Sequence, residues 1–127
     1  MTIVPAFSIV FALLFLVLSV QTIRARRVAK IALGTRGDKG LERAARVHAN
    51  FAEYVPLTLL LLSFAEQRGI SEGWITLLCS VFLAGRLLHA WGMSQQQENL
   101  HLRAIAILVT FATLGITAGV LVYSYMR

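Results

Sequence analysis

The sequence predicts an all-α integral membrane protein folded as a four-helix bundle, and three observations carry that prediction. The 127-residue chain is 57% hydrophobic and only 14% charged, more apolar than an ordinary soluble domain of its length. Four apolar stretches reach the roughly 20 residues that a helix needs to cross a bilayer. They are also long and continuous, whereas membrane strands run about 9 to 11 residues with alternating polarity. One domain covering 1–127 is expected, with spans near 3–29, 41–66, 73–92 and 101–125.

The first span is apolar from Ile3 to Ile23. No basic residue precedes it and its run is long for a signal core, so it reads as a retained helix. The second is apolar only from Tyr54 to Ala65 and reaches bilayer length by including the polar turns that begin at Leu41. The third carries Trp74 and Trp91 at its two ends, and the fourth closes on Tyr123 and Tyr125, the placement of interfacial aromatics. Gly115 and Gly119 form a small-xxx-small pair on the fourth. The single cysteine, Cys79, excludes an intrachain disulfide and reads as a packed thiol.

The links are short. "GTRGDKG", Gly34 to Gly40, has turn chemistry throughout and reads as a hinge; no strand precedes it, so it is not a dinucleotide-binding loop. Gly69 is a helix stop, and the polar run "SQQQEN" joins spans three and four.

Charge sets the orientation. Arg24, Arg26, Arg27, Lys30, Arg36, Lys39, Arg43 and Arg46 crowd the first link, and Arg86 and Arg103 bracket the third. Only Arg68 and Arg127 fall on the other side. By the positive-inside rule both links face the cytoplasm and both termini face away. Topology therefore accounts for much of the net charge of +6. No nucleic-acid motif accompanies it, so no nucleic-acid partner is expected, and no metal site is expected either.

The chemistry lies in "LERAARVHANFAEYVP", Leu41 to Pro56. On a helix turning about 100° per residue, Asn50 lies about 40° from Arg46, Glu53 about 20° the other way and Tyr54 about 80° round. These four share a face, Glu42 can pair with Arg46, and His48 points to nearly the opposite side. Both polar faces are satisfied if the second meets a neighbouring subunit. Alternatively, Arg46, Asn50 and Glu53 neutralise one another as interhelical glue. Ionisable groups within a membrane are costly, which favours a functional site. Pro56 removes the N–H that Ala52 would bond, so a kink is expected one turn beyond the stripe.

Span three repeats the pattern in "GRLLHAWGM", where Arg86, His89 and Met93 follow i, i+3, i+7 spacing. Arg86 is either part of the site or a snorkelling cation, and Arg103 either part of it or a topology anchor. Together Arg24, Arg46, His48, Asn50, Glu53, Tyr54, Arg86, His89 and Arg103 are expected to form an inward-facing constellation at the cytoplasmic end. It suits a small anion that also carries an ammonium: arginines take carboxylates, Glu53 an amine and Asn50 an amide. Glutathione is such a molecule.

"ERAARVHANFAEYVP" closely resembles the E-R-x-x-R-x-H-x-N-x-x-E-Y-x-P signature of the MAPEG family, the membrane-associated proteins in eicosanoid and glutathione metabolism. "GRLLHAWG" is similar to that family's third-helix motif. The resemblance implies a homotrimer in the lipid bilayer, in a bacterial inner membrane, holding glutathione as co-substrate at the cytosolic side between adjacent subunits. Carried over, Arg46, Asn50, Glu53, Tyr54 and His89 hold the peptide, with Arg86 in the same constellation, and Arg24 and His48 come from the neighbour. Arg103 matches the arginine that stabilises the glutathione thiolate. A free thiol titrates near 8.5, so an adjacent guanidinium raises its reactive fraction at neutral pH.

The implied function is glutathione S-transfer or peroxidase activity on a lipophilic electrophile or hydroperoxide. Met93 stands where several members carry tyrosine, and Ala104 supplies no hydroxyl after Arg103, so prostaglandin formation is not expected. The alternatives are a noncatalytic membrane scaffold or glutathione-binding protein of the same family, and a small proton-coupled exporter. The first span holds no acid, which such exporters carry there.

Overall fold

The computed structural model describes residues 2–97 and 99–127; Met1 and Glu98, the latter within the polar link before the fourth span, lie outside the described residues. The chain forms α1 (Ile3–Ala29), α2 (Lys39–Gln67), α3 (Glu72–Ser94) and α4 (Leu100–Met126). All four are long and apolar enough to cross a membrane, and no strand occurs among the described residues.

Local chemistry sets the helix ends. Asp38 is extended and its carboxylate accepts from the Leu41 N–H at 2.8 Å, so α2 starts two residues before the predicted boundary. Asn99 does the same for α4 through the Leu102 N–H at 3.2 Å. At the end of α1, Lys30 turns left-handed (φ 56°) and its N–H reaches the Arg26 and Arg27 carbonyls. The Arg26 guanidinium then donates to the Ala32 and Gly34 carbonyls at 3.3 and 2.9 Å and folds the link onto the helix end. The helix stop expected at Gly69 is met by a left-handed glycine (φ 79°). Pro56 lies inside α2, which continues past it.

Two hairpins, α1–α2 and α3–α4, pack together with α2 touching the other three helices, while the backbones of α1 and α4 stay apart. One apolar cluster gathers Val4, Leu62, Ile75, Cys79 and Leu121. The other gathers Phe11, Val47, Phe51, Phe82 and Met93. Cys79 is fully buried and free. Among the described glycines the tightest surroundings are those of Gly85 of α3, where a Cβ would stand 2.6 Å from Val109 Cγ1 of α4. Gly115 and Gly119 close no contact inside the subunit, since a Cβ at either meets no atom within 4 Å.

The end away from the basic links is tied by two side chains. The Glu66 carboxylate of α2 accepts the first N–H groups of α1, from Thr2, Ile3 and Val4, at 2.7, 2.9 and 3.0 Å. A carboxylate is the preferred partner for these unbonded donors. Arg68 donates to the Ser124 carbonyl at 2.6 Å and lies over the Tyr125 ring at 4.4 Å.

Candidate functional site

The polar half of α2 supplies one wall. Arg46 and Glu53 are exposed and Asn50 is half-buried between them on the same face. α3 brings His89 and Met93, both buried, and α4 brings Arg103. Arg46, Asn50, Glu53, His89, Met93 and Arg103 together line a cavity of about 40 Å³ between the three helices. Arg46, Met93 and Arg103 also line a wider hollow of about 350 Å³, whose rim adds Lys39, Glu42 and Arg43. Cations dominate both spaces, which therefore favour an anion.

Arg86 behaves differently. It is 1% exposed, so its guanidinium belongs to the interior of the bundle. Its Nη2 donates to Asn50 Oδ1 at 2.8 Å and its Nη1 to Thr110 Oγ1 at 3.4 Å, joining α3 to α2 and α4. The Phe51 ring lies 5.7 Å from the guanidinium carbon. Tyr54 and Arg86 line an adjoining cavity of about 120 Å³ with Asn50, Ile107, Thr110 and Phe111. Asn50 is thus a wall shared by the two cavities. Arg86 Nε and His89 Nδ1 are buried with no hydrogen-bond partner among the described residues.

His48 and Arg24 stand apart from this group within one subunit. The sequence left His48 without a neighbour on its own chain, and the structure supplies one on α1. Its Nε2 lies 3.0 Å from Ser19 Oγ, and its ring stacks on Phe15 at 4.8 Å. Ser19 gives its own proton to the Phe15 carbonyl at 2.8 Å, so His48 Nε2 is the donor. Arg24 is exposed on the outer face of α1, beside Leu16, Val17 and Val20. The expected constellation of four helices is therefore, inside one chain, a constellation of three.

Thr110, which no motif in the sequence singles out, accepts from Arg86. Seven residues past Arg103 it returns to within about 20° of the same helical direction. That spacing was a signal available in the sequence.

A polytopic helical membrane protein with a cation-lined cavity among three of its four helices is the class that fold and site define. The sequence model of the MAPEG family matches residues 4–123. The chain belongs to the MAPEG family. It is also 37% identical over 87 residues to "Inner membrane protein YecN" of Escherichia coli strain K12, and to the same degree to the protein of that name in Escherichia coli O6:H1 strain CFT073. The match spans 68% of this chain and 66% of each relative, so it covers just under two thirds of their length.

Proposed function

We propose that this protein is a membrane glutathione S-transferase that also reduces hydroperoxides, with the glutathione thiolate as the reacting group. The observation that carries the proposal is the convergence of Arg46, Asn50, Glu53, His89 and Arg103, from three helices, on one cavity. Arg46 binds a carboxylate of glutathione, Glu53 its ammonium, and Asn50 and His89 its peptide groups. Tyr54 closes the α2–α4 side, and Arg103 stabilises the thiolate.

The chemistry needs little else from the protein. The thiolate attacks an electrophilic carbon, a C–S bond forms and the leaving group departs with the electron pair. With a hydroperoxide the thiolate attacks the terminal oxygen, an S–O bond forms as the O–O bond breaks, and the departing alkoxide takes a proton from water to leave as the alcohol. A second glutathione then resolves the sulfenic product to disulfide and water. The apolar substrate arrives through the bilayer.

The cavity volume of about 40 Å³ admits a thiol and its neighbours, and the larger hollow of about 350 Å³ takes the peptide body. In this reading the subunits form a homotrimer. Arg24, exposed on α1, and His48 then face the site of the adjoining subunit. The site opens to the cytoplasm of a bacterial inner membrane, and both termini lie on the other side.

Ultraviolet difference absorbance on adding glutathione to the detergent-solubilised protein tests the proposal. A thiolate band is expected, abolished by Arg103→Ala, with Glu53→Gln weakening affinity about tenfold as a charge-assisted contact is lost. Met93 places a thioether, with no proton to give, on the cavity wall. That favours one second reading, a noncatalytic glutathione-binding protein. Its signature is binding with no thiolate band.

A further inference from the structure

A buried arginine is costly unless its charge and its donors are engaged. Arg86 is 1% exposed, yet the groups it bonds are a side-chain amide and a hydroxyl, Asn50 and Thr110. Neither neutralises the charge, so hydrophobic economy does not account for an arginine at this position. Its two bonds differ in quality. The Asn50 bond, at 2.8 Å, is short and charge-assisted, while the Thr110 bond, at 3.4 Å, is long.

The Asn50 bond also fixes an orientation. A guanidinium only donates, so the atom of Asn50 facing it must be the amide oxygen. The NH₂ group is thereby turned away from Arg86. Because Asn50 also lines the cavity with Arg46, His89 and Arg103, that NH₂ is what the side chain offers a ligand.

We infer that Arg86 is a positioning residue: through the Oδ1 bond it locks Asn50 with its NH₂ toward the cavity, so that Asn50 recognises an acceptor group, a peptide carbonyl or carboxylate, and rejects a donor. The inference rests on the glutathione reading for the identity of that acceptor. The lock itself is a property of the protein without ligand. Arg86 does not touch the bound peptide in this arrangement. Its contribution to affinity passes through Asn50, and its contribution to stability passes through both bonds.

Two measurements on the full-length protein in detergent test it. The sequence has two asparagines, Asn50 and the exposed cap Asn99, so protein labelled with nitrogen-15 on asparagine shows two side-chain NH₂ groups by NMR, assigned with Asn99→Asp. Without any ligand, Arg86→Met should move the Asn50 pair to the position of a free amide, and Thr110→Val should leave it in place. A pair unmoved by Arg86→Met overturns the lock.

The second measurement is glutathione affinity by calorimetry. Asn50→Ala and Arg86→Met should each weaken binding about tenfold, and the double variant should also weaken it about tenfold and not about a hundredfold. Arg86→Lys, with one point-like donor in place of a fork, should recover part of the loss and guards against a variant that fails to fold. Thr110→Val should lower thermal stability and leave affinity unchanged, which separates positioning from a general packing role. Multiplying losses in the double variant overturn the positioning role even if the NMR lock is present. If the wild type binds no glutathione while Arg86→Met still frees the Asn50 amide, the glutathione reading falls and the lock stands.

Discussion

Gly85 is the described glycine with least room for a side chain. A methyl there would meet Val109 Cγ1 at 2.6 Å, so Gly85→Ala should destabilise the α3–α4 hairpin by about 1–3 kcal/mol, the usual cost of overpacking. Gly115→Ala should be neutral or slightly stabilising, because open space surrounds it in the subunit and alanine favours the helix by up to about 1 kcal/mol. Thermal midpoints of the two variants in one detergent decide this. A drop for Gly115→Ala as large as that for Gly85→Ala would mean the outer face of α4 is also closely packed, against another copy of the chain. Residue identity on the polar stripes was legible in the sequence, since Arg46, Asn50 and Glu53 do share one face of α2 and one cavity. The partners were not. Nothing in the spacing of α3 alone shows that Arg86 spends its best hydrogen bond on Asn50, or that His48 finds Ser19, because both contacts depend on how separate helices rotate against each other.

The helices themselves were the most legible elements, since hydropathy and length dictate them in a solvent that offers the backbone no hydrogen bonds. Their ends were read less closely: the caps Asp38 and Asn99, each of which bonds an N–H three residues on, were not singled out, and α2 begins two residues earlier than expected. The start of α1 is different. Thr2 makes no side-chain cap there, and the acceptor comes from Glu66 at the far end of the next helix. Glu66→Ala should hand the Thr2, Ile3 and Val4 N–H groups to water and cost about 0.5–1.5 kcal/mol, with faster hydrogen exchange at Ile3 and Val4. Exchange unchanged at those amides would show that the carboxylate contributes nothing to holding the helix. A sequence pattern cannot reveal such a cap, because its partners are separated by 62 to 64 residues.

At the scale of the molecule, the backbones of α1 and α4 make no close approach to each other. Large apolar side chains such as Leu13, Leu16, Leu108 and Val122 consequently point outward, each more than half exposed. A bilayer or further copies of the chain must cover them. The charge asymmetry sets a testable orientation. In inverted membrane vesicles a membrane-impermeant maleimide should label Arg36→Cys and spare Met126→Cys, with the reverse in spheroplasts. The native Cys79 should stay silent in both because it is fully buried. Labelling of both sites from one side would overturn the four-span topology. Span number and charge bias were plain in the sequence, whereas the separation of Arg24 from the cavity was not, since α1 exposes that face to whatever lies outside the subunit. The Glu66 clasp bears on biosynthesis. When α1 emerges from the ribosome its first amides have only water as acceptor, and the carboxylate that will receive them is made only after some sixty further residues. The depth at which the first helix finally settles is thus decided late, by the arrival of its hairpin partner. α1 and α2 should therefore leave the insertion machinery as a pair.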